Sequence, residues 1–392
     1  MSSGRASICF VSTSPAMPRA LTDAGQALLG GAELQMAMLA RHLRRQGWSV
    51  AFLVIDYGQP LEVRTTEGIV LRRAFRRRSR LGPASPLSRS LQLWRSLDAV
   101  AADVYLMRGA VGQVGVVASH CRRKGARFVY HFGLSGDALC WPDRRWAIGT
   151  WERLLYRYGL RCANVVVVQS KEQLAALRRH GARDGVLIPN PCFLGPVPAP
   201  KPPEPTALWA GSLRPRKRPL MLLDIAGRAS DVRFLMAGGV PDQYRDLAEA
   251  VNTRAQELRN VELLGLVPFQ RMRDYYLRAH VLVHTSEHEG FPNTFLEAWS
   301  TCTPVVSTVD PDGVIGEHGI GFHCDGVTDS VRAVRVLCGD AAMREAMGAR
   351  ARAYVAANHS ADMVLGRYER LLLQLASTEP ESARRQPAIG RQ

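Results

Sequence analysis

The sequence predicts an α/β protein built as two Rossmann-like, doubly wound domains facing each other across a cleft. Three observations lead there. The chain has 392 residues, and a single hydrophobic core stops growing beyond about 250–300 residues, so two domains are expected. Short apolar runs alternate with amphipathic stretches of helical period almost throughout, which is the pattern of parallel sheets covered by helices. Residues 189–205 hold eight prolines, too many for the interior of a helix or sheet, so this stretch is an extended linker. The expected organisation is a first domain over 1–190, the linker over 191–205 and a second domain over 206–360. A last helix over 361–376 and a disordered tail from 377 follow.

The elements follow in order. In the first half the apolar runs place strands over 7–11, 49–55, 69–72, 103–107, 127–131, 164–168 and 185–188. Helical periodicity fills 32–46, 87–101, 113–124, 146–161 and 171–180, and Ser170 with Gln173 makes a capping box for the last. After the linker the alternation restarts, with strands over 207–210, 232–236, 261–264, 280–284 and 304–307. Helices occupy 218–228, 241–257, 269–279 and 294–301, and helical patterns over 329–337, 341–357 and 361–376 close the chain.

Composition excludes several classes. With 46% hydrophobic and 22% charged residues, core-forming material is ample and global disorder is excluded. No apolar run reaches the eighteen residues of a membrane span, and the apolar N-terminal stretch is too short for a secretory signal. A soluble, cytoplasmic protein is expected. The eight cysteines stand singly, without C-x-x-C pairs or metal-ligand spacing, and read as buried free thiols.

Charge is unevenly placed. Of the net +16, all lies in residues 1–200, which hold 28 Lys and Arg against 12 Asp and Glu. The densest run is Arg72, Arg73, Arg76, Arg77, Arg78 and Arg80, before a Gly-Pro-rich turn over 81–86. Such a surface attracts anions. Nucleic acid is not expected, because no recognition helix, RNP motif or zinc finger accompanies the charge. Peripheral contact with the inner face of an anionic membrane is one reading, with Arg72–Arg80 and the 141–151 segment (Trp141, Arg144, Arg145, Trp146, Trp151) as contacts. Solvated decoration and ordinary packing are the other.

Three segments carry chemistry. In Ser286-Glu-His-Glu289-Gly290-Phe291-Pro-Asn293-Thr294-Phe295-Leu-Glu297, a buried strand runs into a loop and a helix opens near Asn293. Free amides at such a helix start suit a diphosphate. Glu289 and Glu297 can face the same cavity, where carboxylates accept hydrogen bonds from sugar hydroxyls. Thr294-x-x-Glu297 also spells a capping box, so two roles stay open for Glu297. The second segment, Gly211-Ser-Leu-Arg214-Pro-Arg216-Lys217-Arg218-Pro219, follows the first strand of the second half, where four cations could neutralise a diphosphate leaving group. The third, Gly30-Gly31-Ala-Glu33, lets a ligand approach the backbone before a helix. His131 ends a strand in the first half and would point into the cleft.

Together these segments resemble glycosyltransferase family 4, the retaining group 1 glycosyltransferases of GT-B architecture. The resemblance covers nearly the whole chain and rests on Glu289-x7-Glu297 following Gly211-x-Leu213-x3-Lys217. It implies a glycosyltransferase of the hexosyl-transferring class, with the first domain binding the acceptor, the second the donor, and the last helix over 361–376 packing back on the first domain. The donor would be a nucleoside-diphosphate sugar, UDP- or GDP-linked, and the acceptor a saccharide or a lipid-linked saccharide of cell-surface polysaccharide or glycolipid synthesis.

By that likeness Lys217 binds the diphosphate with Gly31, Gly211, Asn293 and Thr294 beside it. Glu289 contacts the transferred sugar with the Gly290-Phe291 backbone, Glu297 holds the ribose, and His131 lies near the sugar. Glu289, His131 and Lys217 are the expected catalytic group. The family's loop arginine is Ser212 here, so Arg214 or Arg216 would supply that cation. No D-x-D motif is present and neither metal nor cofactor is expected. A departing phosphate oxygen can take the acceptor's proton, so retention needs no enzyme nucleophile. Rival readings are a sugar-nucleotide epimerase of the same architecture and a non-enzymatic anion-binding protein. A nicotinamide oxidoreductase lacks its G-x-G-x-x-G after the first strand.

Overall fold

The computed structural model describes residues 6–22, 30–56, 58–76, 86–109, 112–133, 136–137, 150–181 and 183–378. Arg77, Arg78, Arg80, the turn over 81–85, Trp141, Arg144, Arg145, Trp146 and the tail from 379 lie outside them, as does the side chain of Arg76. The chain divides into two compact units. The first takes the described residues up to Ile188 other than Gly30 and Gly31, with those from Leu365 onward, and the second holds Gly30, Gly31 and Pro189–Val364. No described helix is long and apolar enough to cross a membrane.

The first unit runs β1 (Ser7–Val11), α1 (Met17–Leu21), α2 (Gly31–Arg45), β2 (Ser49–Asp56), β3 (Glu62–Arg64), β4 (Val70–Arg76), α3 (Pro86–Asp98) and β5 (Val104–Arg108). It continues with α4 (Gln113–Lys124), β6 (Arg127–His131), α5 (Thr150–Cys162), β7 (Val165–Val168), α6 (Lys171–Gly181) and β8 (Val186–Leu187). Its sheet has the order β3-β4-β2-β1-β5-β6-β7-β8, parallel except for the antiparallel β3 edge. Helices on both faces bury its strands, which is why they read as near-continuous apolar runs. Strand β3 and the five-residue α1 went unpredicted: β3 is short and largely exposed, with no alternation to detect, and Pro18 opens a helix of little over one turn. Strand β4 runs past the predicted end at 72. Its Arg72 pairs with Glu62 at 3.1 Å and Arg73 with Asp56 at 3.5 Å, so part of the basic run is neutralised locally. The Ser170 cap forms, with Ser170 Oγ accepting from the Gln173 amide at 3.1 Å. The Gln173 side chain reaches one residue further back, accepting from the Gln169 amide at 2.8 Å.

The second unit opens on β9 (Thr206–Ala210), followed by α7 (Pro219–Arg228), β10 (Arg233–Ala237), α8 (Arg245–Gln256), β11 (Val261–Gly265), α9 (Phe269–Arg278) and β12 (Val281–His284). Then come α10 (Asn293–Ser300), β13 (Val305–Ser307), α11 (Val314–His318), β14 (Gly321–His323), α12 (Val327–Gly339), α13 (Ala341–Asn358) and α14 (Ala361–Ser377). The sheet order is β11-β10-β9-β12-β13-β14, parallel throughout. Residues alternate between its faces: Trp209, Phe234 and Val283 enter one core cluster, and Leu208, Leu235 and Leu282 enter the other with Phe295 and Trp299. The strand order reverses between β9 and β12, and the space beyond the carboxyl ends of strands at such a switch point is where doubly wound sheets bind ligands. Helix α14 begins in the second unit and belongs to the first from Leu365.

The linker is anchored by one buried cation. Lys201 Nζ donates to the carbonyls of Tyr276 at 2.9 Å and Thr301 at 3.1 Å and to Thr303 Oγ1 at 2.6 Å. These lie near the carboxyl ends of α9 and α10, where orphan carbonyls need donors. Burial pulls its pKa down to about 7. Every described cysteine is a free thiol.

Candidate active site

Strands β9 and β12 each end in one of the motif loops, and the two loops are clasped together. Gly211 follows β9 and its amide donates to the Ala237 carbonyl at 3.0 Å, while the Leu213 amide donates to Gly239 at 2.9 Å. A short 3₁₀ turn, Pro215–Lys217, leads to Arg218, whose φ of 45° is left-handed. A non-glycine residue there carries strain of about 1 kcal/mol or more, so surrounding structure must hold it. The holding is visible. Arg218 Nε donates to the Thr285 carbonyl at 2.6 Å, and Thr285 Oγ1 lies 2.6 Å from the Lys217 carbonyl while accepting from Trp209 Nε1 at 3.0 Å. The Glu287 amide closes the clasp on the Arg216 carbonyl at 2.9 Å.

This brings Lys217 onto Glu289. Lys217 Nζ donates to Glu289 Oε1 at 2.5 Å, and Arg216 Nη1 stands 3.5 Å from Oε2. Burial opposes the carboxylate's charge, but Lys217, with Arg216 behind it, outweighs that and holds Glu289 at about 2. Two cationic side chains, Arg216 and Lys217, therefore face one acid, and the balance favours an incoming anion. Of the two arginines left open by sequence, Arg216 reaches Glu289, and Arg214 contributes its carbonyl to the Lys217 amide at 2.9 Å.

His284, unforeseen although it ends the buried strand before the motif, locks the β12 loop. Ser307 Oγ donates to Val309 O at 2.7 Å, so at 3.3 Å it accepts from Nδ1–H of His284, and Ser286 Oγ donates to Nε2 at 3.2 Å. Burial, reinforced by Lys217, pushes this imidazole down to about 3, so it is neutral.

Helix α10 starts at Asn293 with Pro292 before it and no side-chain cap. The Thr294–Glu297 capping box is therefore not formed, and Glu297 is released from a local role. Its carboxyl is raised to about 7 by burial, with the Tyr276 hydroxyl of α9 pulling the other way. Of the amides assigned to a phosphate, that of Phe295 is engaged, donating to the Pro292 carbonyl at 3.2 Å. Thr294 Oγ1 is buried and has no hydrogen-bond partner among the described residues. Asn293 accepts at Oδ1 from Asn190 Nδ2 at 3.2 Å, and the same amide donates to the Phe291 carbonyl at 2.9 Å. The Phe291 ring is core, 4.9 Å from His359, which leaves its backbone and that of Gly290 as the parts able to meet a ligand.

Gly31, which groups with the second unit, opens α2, and in the first unit His131 ends β6 at 5% exposure. Its Nδ1–H donates to the Phe132 carbonyl at 2.7 Å and its Nε2 accepts from the Tyr368 hydroxyl at 2.6 Å. Burial, with Arg108 nearby, holds its pKa well below the usual histidine value. Both ring nitrogens are thus occupied within the unit, so a role beside a sugar requires the Tyr368 bond to open. Among the described residues no three His, Cys, Asp or Glu cluster as metal ligands.

A second glycine position also supports the loop. A Cβ added at Gly238, after β10, would stand 2.1 Å from the Gly211 carbonyl oxygen. Gly238→Ala is expected to displace the Gly211 loop and destabilise the second unit by about 1–3 kcal/mol, read by urea unfolding. A wild-type midpoint would show that the contact is not needed. Gly211 itself has room, with nothing nearer than 3.5 Å to a Cβ.

Comparisons with known proteins identify the family and the fold. The family described as "Glycosyl transferases group 1" matches residues 204–340, and "Glycosyl transferase 4-like domain" matches residues 30–191. A search of curated proteins found no significant match. Among solved structures, sucrose-phosphate synthase from Thermosynechococcus elongatus is similar at TM-score 0.78 and 18% identity, covering 94% of this chain and 99% of its own. Anabaena HepE in complex with UDP and glucose gives TM-score 0.71 at 16% identity over 94% of this chain and 100% of its own. A glycosyltransferase from Rickettsia africae gives 0.69 at 16% identity over 95% and 99%. These likenesses establish the GT-B fold, and with both halves matched by family the chain belongs to the group 1, family-4-like glycosyltransferases.

Proposed function

We propose that this glycosyltransferase takes a sugar from a UDP- or GDP-linked donor, with retention of anomeric configuration. It passes the sugar to a saccharide or lipid-linked acceptor of cell-surface polysaccharide or glycolipid synthesis. One observation carries the reading: Lys217 and Arg216 converge on the buried Glu289 at the switch point of the second unit. In the reaction, the bond from the anomeric carbon to the diphosphate oxygen breaks and the bond to the acceptor oxygen forms. The acceptor's proton leaves on the departing phosphate. Charge gathers on that phosphate, where Lys217 and its arginine neighbours stabilise it, and such differential stabilisation is what accelerates a step. Lys217 and Arg216 supply that positive charge from side chains, so the step as written draws on no metal or other cofactor. Thr294 Oγ1 gains a partner if the diphosphate lies at α10, relieving a buried orphan worth about 1–3 kcal/mol. Glu297 accepts the ribose hydroxyls. The complex of Anabaena HepE with UDP and glucose supports the donor class.

The test is a melting-temperature screen with UDP-, GDP- and ADP-sugars, because a ligand bound only by the folded state raises the transition. One donor should raise it by several degrees. No shift with any of them, together with no release of nucleoside diphosphate when saccharide acceptors are added, overturns the proposal.

A further inference from the structure

A second surface, in the first unit and separate from the donor site, is built for contact. Helix α5 turns Tyr156 and Leu160 into the core, and its backbone lies hard against α4. A Cβ on Gly115 would stand 2.4 Å from the Leu155 carbonyl oxygen, and one on Gly159 would stand 2.6 Å from the carbonyl carbon of Val114. That close approach fixes the rotation of α5. Facing outward are Trp151, Leu154 and Tyr158, at 68%, 53% and 37% exposure. Their i, i+3, i+7 spacing makes one apolar stripe.

Arginines rim the stripe. With each helical residue turning about 100°, exposed Arg157 and Arg161 fall along one edge. Arg122 of α4 sits beside the Tyr158 hydroxyl on the other, with exposed Arg123 next to it. None of these four arginines is in an ion pair among the described residues, whereas neighbouring Lys124 is, with Asp98 at 2.9 Å.

We propose that this α4–α5 face docks on an anionic lipid bilayer, with the stripe at the headgroup boundary and the arginines on the phosphates. Trp and Tyr are the residues that settle at that boundary, and a basic rim adds attraction to anionic headgroups. A second copy of the chain is a poor occupant, because matching this face to itself brings arginine against arginine. A soluble polyanion would use the rim and leave the apolar stripe in water.

The experiment is sedimentation of the full chain with vesicles of phosphatidylglycerol and phosphatidylcholine in equal parts, against phosphatidylcholine alone and against soluble heparin. The mixed vesicles should carry the protein down, less so as salt rises, and phosphatidylcholine should not. Arg157→Glu with Arg161→Glu should weaken partitioning about tenfold or more, and Trp151→Ser with Leu154→Ser should weaken it without changing heparin binding. Both pairs should keep the wild-type melting temperature and its donor-induced rise, so this outcome is separable from that of the donor proposal. Failure to sediment, equal sedimentation with phosphatidylcholine, or sedimentation untouched by both pairs overturns the proposal. So does a concentration-dependent dimer abolished by Leu154→Glu.

Discussion

Lys217→Ala should lower turnover by about 10²–10³-fold, the loss found when a single charge-stabilising donor is removed from a reacting centre. The fold-level cost should be smaller. Among the described residues Lys217 Nζ has one hydrogen-bond partner, Glu289 Oε1 at 2.5 Å, and Arg216 remains 3.5 Å from the other carboxylate oxygen. Glu289 nevertheless loses the strongest of the charges that hold it at about 2, and leaving a buried acid with a poorer partner destabilises, here by about 1–3 kcal/mol. A double variant separates the two effects. Lys217→Met with Glu289→Gln removes both charges, so stability should recover towards wild type while turnover stays low. The measurements are kcat with a purified donor and acceptor, and urea unfolding of the same samples. Turnover that tracks the folded fraction, or that is unchanged, would show that the lysine serves packing alone.

Glu297→Gln is expected to stabilise the free protein above neutral pH and to weaken donor binding. The folded carboxyl titrates at about 7 against an ordinary value of 4.5. Between those values the folded state keeps a proton that the unfolded chain has released, so stability falls as pH rises through the window. The cost is complete above about pH 7 and amounts to at most about 3 kcal/mol. A glutamine does not ionise. The variant's melting temperature should therefore exceed wild type at pH 8 and converge with it below about pH 4.5. Donor affinity should move the other way. If the carboxylate receives the ribose hydroxyls, wild-type affinity rises with pH through about 7, and Gln loses roughly 2 kcal/mol, about thirtyfold. Equal donor affinity in both proteins across that range would remove Glu297 from the nucleotide's contacts.

A buried acid whose charge weakens its own fold is legible only in part from sequence. Glu297 stands out by its spacing from Glu289, but the same letters spell a capping box. The alternative is decided by Pro292, which precedes α10 without a side-chain cap, and by Thr294, whose Oγ1 has no hydrogen-bond partner among the described residues. Arg218 was read as the first residue of a helix; its left-handed backbone and its bond to the Thr285 carbonyl make it the pin between loops. His131 sat at a strand end as expected, yet its imidazole is taken by Tyr368, 237 positions away. Strands β3 and β14, three residues each, are too short to show a period.

What the chain's letters determined by themselves is everything carried by local repetition: the alternation of strand and helix, the proline-rich break, and the placing of Gly211–Lys217 and Glu289 directly after buried strands. Tertiary structure alone decided which strands lie side by side, and so which loops meet. Lys217 and Glu289 are separated by 72 positions and joined because β9 and β12 are neighbours at the point where the sheet order reverses. Periodicity reports the face a residue presents to its own element. Ion pairing, desolvation and the resulting charge state depend on what the rest of the fold brings against that face, and no short stretch of sequence contains that information.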